Sequence, residues 1–346
     1  MRQPDDPGDT VLEVRGLTKH FPVGRTGGVL GIGGRRHVLH AVDDASFTLR
    51  RGKILALVGE SGSGKSTIAR LLALLHPPTA GTMYLDGKDV LALRGRAQLL
   101  WYRSRVQMIF QDPYGSLNPV KTVAHHIMEV LKVHQANRTT KGEMRDVVHE
   151  LLQRVGLTPP EDIARKYPPQ LSGGQRQRVS FARALATSPE VVVADEPISM
   201  LDVSLRMGVL NLMDDLRRAE RGLSYLYITH DLASARYLAD DTMVLYAGHV
   251  VELGPSAEVM DEPLHPYTRL LLGAVPDPTR RLDEGPMGEP GEVRGAIDPR
   301  PACRFADRCP SVMDICRQAT PALVGVRPGR AVRCYLHHRV SEPPAM

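Results

Sequence analysis

Gly59-Glu60-Ser61-Gly62-Ser63-Gly64-Lys65-Ser66 sets glycines, a lysine and a hydroxyl at the spacing G-x-x-x-x-G-K-[ST]. Glycines let a backbone curl until several N–H groups converge on phosphate oxygens. A helix following the loop would add its positive N-terminal end. Lys65 would then reach the β- and γ-phosphates of a nucleoside triphosphate, and Ser66 would ligate Mg²⁺. A second group closes the apolar run Val191 to Ala194 with Asp195, followed by Glu196. Asp195 at the strand's end suits Mg²⁺, through water. Glu196 can polarise an attacking water. A third group, Leu171-Ser172-Gly173-Gly174-Gln175, precedes a helical stretch at about 175–187 and would form another anion site at a helix N-terminus. One triphosphate cannot occupy two such sites within one subunit unless they touch. A second chain supplying the third group across an interface resolves the conflict.

These residues need elements to carry them. Residues 53–58 (KILALV) are a continuous apolar run, as buried parallel strands are. Ile68, Leu71, Leu72 and Leu75 then recur at helical spacing over 66–75. Strands are expected at 11–16, 42–49, 190–195 and 224–229, and a strand pair over 242–253 turns at Gly248. Helices are expected at 203–221 and 231–239. Alternating strands and helices of this kind imply a parallel sheet covered on both faces. Between about 112 and 188 strand signals are few and helical ones several, including 143–155, so this stretch reads as a helical insert. Gly24 to Arg36 reads as a surface loop. From 276 the chain becomes rich in proline and glycine and leads to a cysteine-bearing end.

Composition sets the frame. A chain of 346 residues with 42% hydrophobic and 24% charged residues has room for about two globular domains, which excludes collagen-like, disordered and disulfide-scaffold classes. Aromatics at 5% with one Trp argue against a stacking platform for single-stranded nucleic acid. A net charge of +5, spread over the chain, argues against a concentrated nucleic-acid face. No apolar run approaches the roughly 18–20 residues of a membrane helix, and the N-terminus lacks an apolar signal core. The expected setting is cytoplasmic, with any membrane role exerted through a partner.

The order of these motifs resembles the ATP-binding subunit of an ABC transporter, over 11–340. The resemblance makes 59–66 the Walker A loop, Gln111 the Q-loop, 171–175 the signature, 191–195 Walker B, 199–202 the D-loop and His230 the switch histidine. It implies an α/β P-loop ATPase core over 11–275, with an antiparallel β edge and a helical subdomain at about 112–188. A small irregular cysteine-containing extension follows over 276–346. It further implies ATP held by Gly59, Ser61, Gly62, Ser63, Gly64, Lys65, Ser66 and Thr67, with Phe21 against adenine. Mg²⁺ is implied at Ser66, Gln111 and Asp195. Catalysis falls to Glu196, His230, Lys65 and Gln111. Ser172, Gly173, Gly174 and Gln175 face the partner's ATP, and Asp202 organises the dimer interface. The D-loop reads Ser199-Met200-Leu201-Asp202, with Met where the family commonly has Ala.

Phe110-Gln111-Asp112-Pro113 with Ser116-Leu117-Asn118-Pro119, His265-Pro266-Tyr267-Thr268 and the cysteine tail narrow the resemblance to the dipeptide/oligopeptide/nickel importers. Within them, LSGGQ followed by RQRV resembles the second ATPase of a two-ATPase heterodimer. The implied cargo is peptide, with oligosaccharide or nickel as alternatives. The implied partners are a second ATPase, two membrane permeases and an extracytoplasmic solute-binding protein, which would put the chain at the cytoplasmic face of the membrane. A soluble ABC-type ATPase on nucleic acid is the rival. It would show two cores, a long coiled-coil insert or a basic patch, and no nucleic acid is expected here.

Cys303, Cys309, Cys316 and Cys334 are the only cysteines, spaced C-x5-C-x6-C-x17-C. Four thiolates can hold a 4Fe–4S cluster or zinc. The spacing lacks the close C-x2-C pairs of structural zinc. The tail resembles the C-terminal region of these importers, and that resemblance implies a cluster, with zinc or ordinary buried thiols as alternatives.

Overall fold

The computed structural model describes residues 9–26, 35–135, 141–220, 222–274 and 296–338. Most of the loop expected at 24–36 and of the linker from 276 lies outside the described residues. The strands, in chain order, are β1 (Thr10–Thr26), β2 (Arg35–Arg50), β3 (Ile54–Val58), β4 (Ala80–Leu85), β5 (Lys88–Asp89), β6 (Val106–Ile109), β7 (Val191–Asp195), β8 (Ser224–Thr229), β9 (Asp241–Tyr246), β10 (His249–Pro255), β11 (Ala296–Ile297), β12 (Val324–Arg327) and β13 (Arg330–Val332). The helices are α1 (Lys65–Leu72), α2 (Gly95–Arg105), α3 (Pro113–Ser116), α4 (Val123–Gln135), α5 (Lys141–Arg154), α6 (Pro160–Arg165), α7 (Gly173–Leu185), α8 (Val203–Ala219), α9 (Leu232–Leu238), α10 (Ser256–Asp261), α11 (Pro266–Gly273) and α12 (Asp314–Gln318).

Two sheets form. The larger has the order β12-β13-β10-β9-β3-β8-β7-β6, and the smaller β11-β2-β1-β4-β5. In the larger sheet β9, β3, β8, β7 and β6 run parallel, which sets Val58 beside Thr229, Asp195 beside Ile228 and Ile109 beside Ala194. The smaller sheet is antiparallel. The last two strands, β12 and β13, extend the larger sheet from β10, and β11 lies against β2. Segments beyond residue 295 therefore add to both sheets.

Strand β3 shows why its sequence is continuously apolar. Ile54, Ala56 and Val58 pack into the core shared with the helices, while Leu55 and Leu57 pack against β1, β2 and α1. With both faces covered, every position must be apolar. Helices α3 to α7 occupy 113–185 with no strand among the described residues there. Sequence periodicity did not reveal α2, β4 or β6. Helix α2 buries only Tyr102, and β6 is four residues long, so neither has room for a clear apolar period.

Candidate functional site

The parallel strands end at one edge of the sheet, where open α/β sheets place their ligand crevice. Beyond β3 the chain makes the glycine loop and enters α1. Gly64 sits at φ 111, and a Cβ there would lie 2.3 Å from the Ala41 carbonyl oxygen. At Gly59 a Cβ would lie 2.2 Å from the Leu245 carbonyl oxygen. Only glycine fits either place. Helix α1 has no side-chain cap and no acidic residue in its first turn, so its first N–H groups and dipole face the loop uncompensated.

A cavity of about 460 Å³ opens at this point, lined by Ser61, Gly62, Gly64, Lys65, Ser66 and Thr67 from the loop and helix. Gln111, from the end of β6, and Glu196, from the end of β7, close another wall. Leu39, His40 and Ala41 from β2 line the remainder with Ala247 and Ala296. These last five carried no motif and were missed in the sequence. Lys65 is 5% exposed, and its Nζ donates to the Gly59 and Glu60 carbonyls at 2.8 and 2.9 Å. Burial lowers its pKa, against the charges of Glu196, Asp195 and Glu60. Ser66 Oγ donates to Asp195 Oδ1 at 3.3 Å. Burial raises the Asp195 pKa, an excess of desolvation that a cation would relieve. A hydroxyl and a buried carboxylate side by side fit a hard, oxygen-seeking cation such as Mg²⁺.

Glu196 is the centre of a second set of contacts. Gln111 Nε2 donates to its Oε2 at 2.9 Å, and His230 Nδ1 lies 3.4 Å from the same oxygen. Its backbone adopts φ 46, a left-handed conformation that costs a non-glycine residue on the order of 1–3 kcal/mol. The Glu196 N–H is held by the Ile228 carbonyl at 2.9 Å, and its carbonyl accepts from Ser199. The turn that carries Asp202 is thus tied to Glu196. Asp202 itself is exposed and leads into α8.

Ser172 caps α7. Its Oγ accepts from Gln175 N at 3.3 Å while Gln175 Oε1 accepts from Ser172 N at 3.0 Å. None of Ser172, Gly173, Gly174 and Gln175 lines the Lys65 cavity. Nor does Phe21 line it. Phe21 lies on β1 opposite Leu39, edge-on to His76 and beneath the Lys19 ammonium. Its neighbour His20 stacks on His40, and both imidazoles bond Asp43, which Arg304 also grips. Burial works against the Asp43 charge, yet these bonds bring its pKa down to about 2.

The cysteines do not make the expected iron–sulfur site, and the zinc alternative falls with it. Among the described residues, the one set of three or more His, Cys, Asp or Glu whose ligating atoms converge is His20, His40 and Asp43, with no cysteine in it. All four are free thiols. Burial pushes Cys303 up to about 11 and raises Cys309 and Cys334. Cys303 and Cys309 pack against the main core, and the Cys303 N–H bonds the Cys316 carbonyl at 2.8 Å. Linear spacing brought the cysteines into one segment but did not aim their sulfurs at one point.

Residues 42–199 match the ABC transporter family, and 251–316 match the oligopeptide/dipeptide transporter C-terminal region. The chain is 43% identical over 326 residues to the oligopeptide transport ATP-binding protein OppF of Bacillus subtilis, covering 94% of this chain and 96% of that protein. It is 42% identical over 327 residues to the dipeptide transport ATP-binding protein DppF of Escherichia coli, covering 94% of each. Among solved structures it resembles the dimeric post-hydrolysis state of the ATP-binding cassette MJ0796 bound to ADP and phosphate. There the TM-score is 0.61 and identity 27%, over 71% of this chain and 98% of that one.

Proposed function

The chain belongs to the ABC transporter family, among the oligopeptide and dipeptide transport ATP-binding proteins, and on that premise we propose how its residues turn ATP hydrolysis into peptide import. The observation that carries the reading is the meeting of Lys65, Ser66, Gln111, Asp195, Glu196 and His230 from four parallel strand ends.

The loop residues Gly59, Ser61, Gly62, Ser63 and Gly64, with Ser66 and Thr67, offer N–H groups to the phosphates, and Lys65 neutralises the β- and γ-oxygens. Ser66 and Gln111, with Asp195 behind them, would hold Mg²⁺, which would supply positive charge to offset the negative charge that builds during the reaction. Glu196 accepts the proton of the water that attacks the γ-phosphorus in line, while the bond from that phosphorus to the β–γ bridging oxygen breaks and ADP leaves. Gln111 and His230, both against its Oε2, hold that carboxylate in place, and His230 reaches the γ-phosphate. Phe21 flanks the adenine end.

The signature residues Ser172, Gly173, Gly174 and Gln175 serve the site of a second ATPase subunit, in a heterodimer organised at Asp202. Two permeases receive the motion through the groove from Gln111 to Val120, where Phe110 and Val120 are exposed. An extracytoplasmic binding protein delivers the peptide. The chain sits peripherally at the cytoplasmic face, and none of its described helices is long and apolar enough to cross a membrane. Its working units are the ATPase over 11–275 and the extension over 276–346.

The test is a pair of variants in the assembled transporter. Lys65→Ala abolishes nucleotide binding or hydrolysis. Glu196→Gln binds ATP and accumulates as a closed dimer that does not turn over. Normal turnover by Glu196→Gln removes Glu196 as the base.

A further inference from the structure

Every polar group of Glu60, the second residue of the glycine loop, is engaged. Its carbonyl accepts from Lys65 Nζ at 2.9 Å. Its N–H donates to the Tyr267 hydroxyl at 3.0 Å. Its carboxylate is gripped by both arms of Arg308, Nη1 to Oε2 at 2.9 Å and Nη2 to Oε1 at 3.0 Å. The two last partners lie 207 and 248 residues away in the chain. The Glu60 side chain is 9% exposed, so the pair is largely out of water, where a two-pronged charge-assisted contact is strong and direction-specific.

Arg308 is itself aimed. Its guanidinium lies over the rings of Tyr246 and Phe305, 5.7 and 5.9 Å from their centroids. Phe305, Tyr246 and Tyr267 form one ring cluster with centroids 4.5 to 5.5 Å apart. Tyr267 and Phe305 are at most 1% exposed. The cluster therefore fixes the donor to Glu60 and the acceptor of its N–H together. Four residues before Arg308, Arg304 makes a second connection. It bonds the Ala247 carbonyl and Asp43. The adjoining Gly248 N–H bonds the Ser63 carbonyl of the glycine loop at 2.8 Å, and its carbonyl accepts from Asp43 N at 2.9 Å.

We propose that Arg308, with Arg304 beside it, positions the phosphate loop, so that the segment after residue 300 is a working part of the nucleotide site. The inference rests on the nucleotide-site reading of Lys65. Arg308 touches no phosphate. It acts through Glu60, whose carbonyl sets where Lys65 stands. Loosening Glu60 shifts the lysine and the converging N–H groups and weakens phosphate binding more than it slows the chemical step.

The experiment uses the full chain and a fluorescent methylanthraniloyl ADP, with ATP hydrolysis measured in the assembled transporter. Arg308→Gln and Glu60→Gln each raise the ADP Kd and the KM for ATP about tenfold, with kcat within about twofold of the parent. The double variant is no worse than the weaker single, because one interaction has been removed either way. Arg308→Lys keeps the charge without the fork and falls in between. Tyr267→Phe, which removes only the hydroxyl, shifts Kd in the same direction while the melting temperature stays within a few degrees.

Unchanged Kd in Arg308→Gln overturns the proposal. So do losses that multiply in the double variant, or a fall in kcat with KM unmoved. Lys65→Ala, run alongside, separates the two readings. Undiminished binding and hydrolysis there overturn the nucleotide site and the clamp with it. Loss there beside unchanged binding in Arg308→Gln overturns the clamp alone.

Discussion

His265 and His249 are imidazoles that the fold keeps unprotonated. His265 is 1% exposed, and its Nδ1 accepts the Tyr267 N–H at 3.0 Å, a bond that a protonated ring cannot make. Burial lowers both residues to a pKa of about 3. An unfolded chain takes up these protons near pH 6.5 and the folded one only near 3, so over that interval the unfolded state binds more protons and stability falls as pH falls. Each ring contributes a slope of up to about 1.4 kcal/mol per pH unit. Urea unfolding at pH 7 and pH 5 should show the drop. His265→Asn keeps an acceptor at the start of α11, where Asn caps well, and should remove about half of the slope. An undiminished slope in that variant would show that other groups carry it. Asp43 acts elsewhere on the scale: its depressed pKa of about 2 gives stability present above about pH 4 and lost as pH falls toward 2.

Helix α1 and its loop show what a single methyl group can decide. Gly64→Ala puts a Cβ 2.3 Å from the Ala41 carbonyl and holds it at φ 111, a conformation that L side chains rarely adopt. Backbone must move, because the obstacle is backbone on β2 rather than a flexible side chain. The variant should lose nucleotide binding at least 100-fold, with a loss of stability of about 2 kcal/mol or more. Calorimetric titration with ATP and a melting curve check the two separately. Wild-type affinity would mean that the loop tolerates a shifted Gly64, and that the close approach to β2 is not what shapes it. The glycine pattern was legible in the sequence. The partner that makes glycine obligatory, a carbonyl 23 residues upstream on another sheet, was not.

At the scale of the molecule, the Lys65 cavity and the Ser172–Gln175 helix start stand apart within one chain. Beside Asp202, the exposed residues Met200, Val203, Leu205 and Met207 leave apolar surface at the start of α8. In the proposed function a second ATPase subunit would cover that surface and bring its own signature to Lys65. The isolated chain should therefore hydrolyse ATP slowly, with specific activity that rises with protein concentration and rises further with the partner ATPase and permeases. A high rate, independent of concentration and without any partner, would count against two-chain catalysis.

The sequence alone determined the phosphate loop, the two acidic residues at the end of β7, the order of motifs and the buried parallel strands. These depend on residues close in the chain, where a turn, a cap or an apolar period is written in consecutive letters. Tertiary structure decided what depends on distance. It drew Gln111 and His230 onto one oxygen of Glu196, because β6, β7 and β8 run parallel and end level. It set Leu39, His40 and Ala41 into the cavity wall by folding β2 back over the loop. It set Arg308 on Glu60 across 248 residues, a pairing that no local pattern encodes. And it left four cysteines, gathered in one segment of the sequence, without a common point, since side-chain direction follows from the turns and short helices of a packed segment rather than from the count of residues between them.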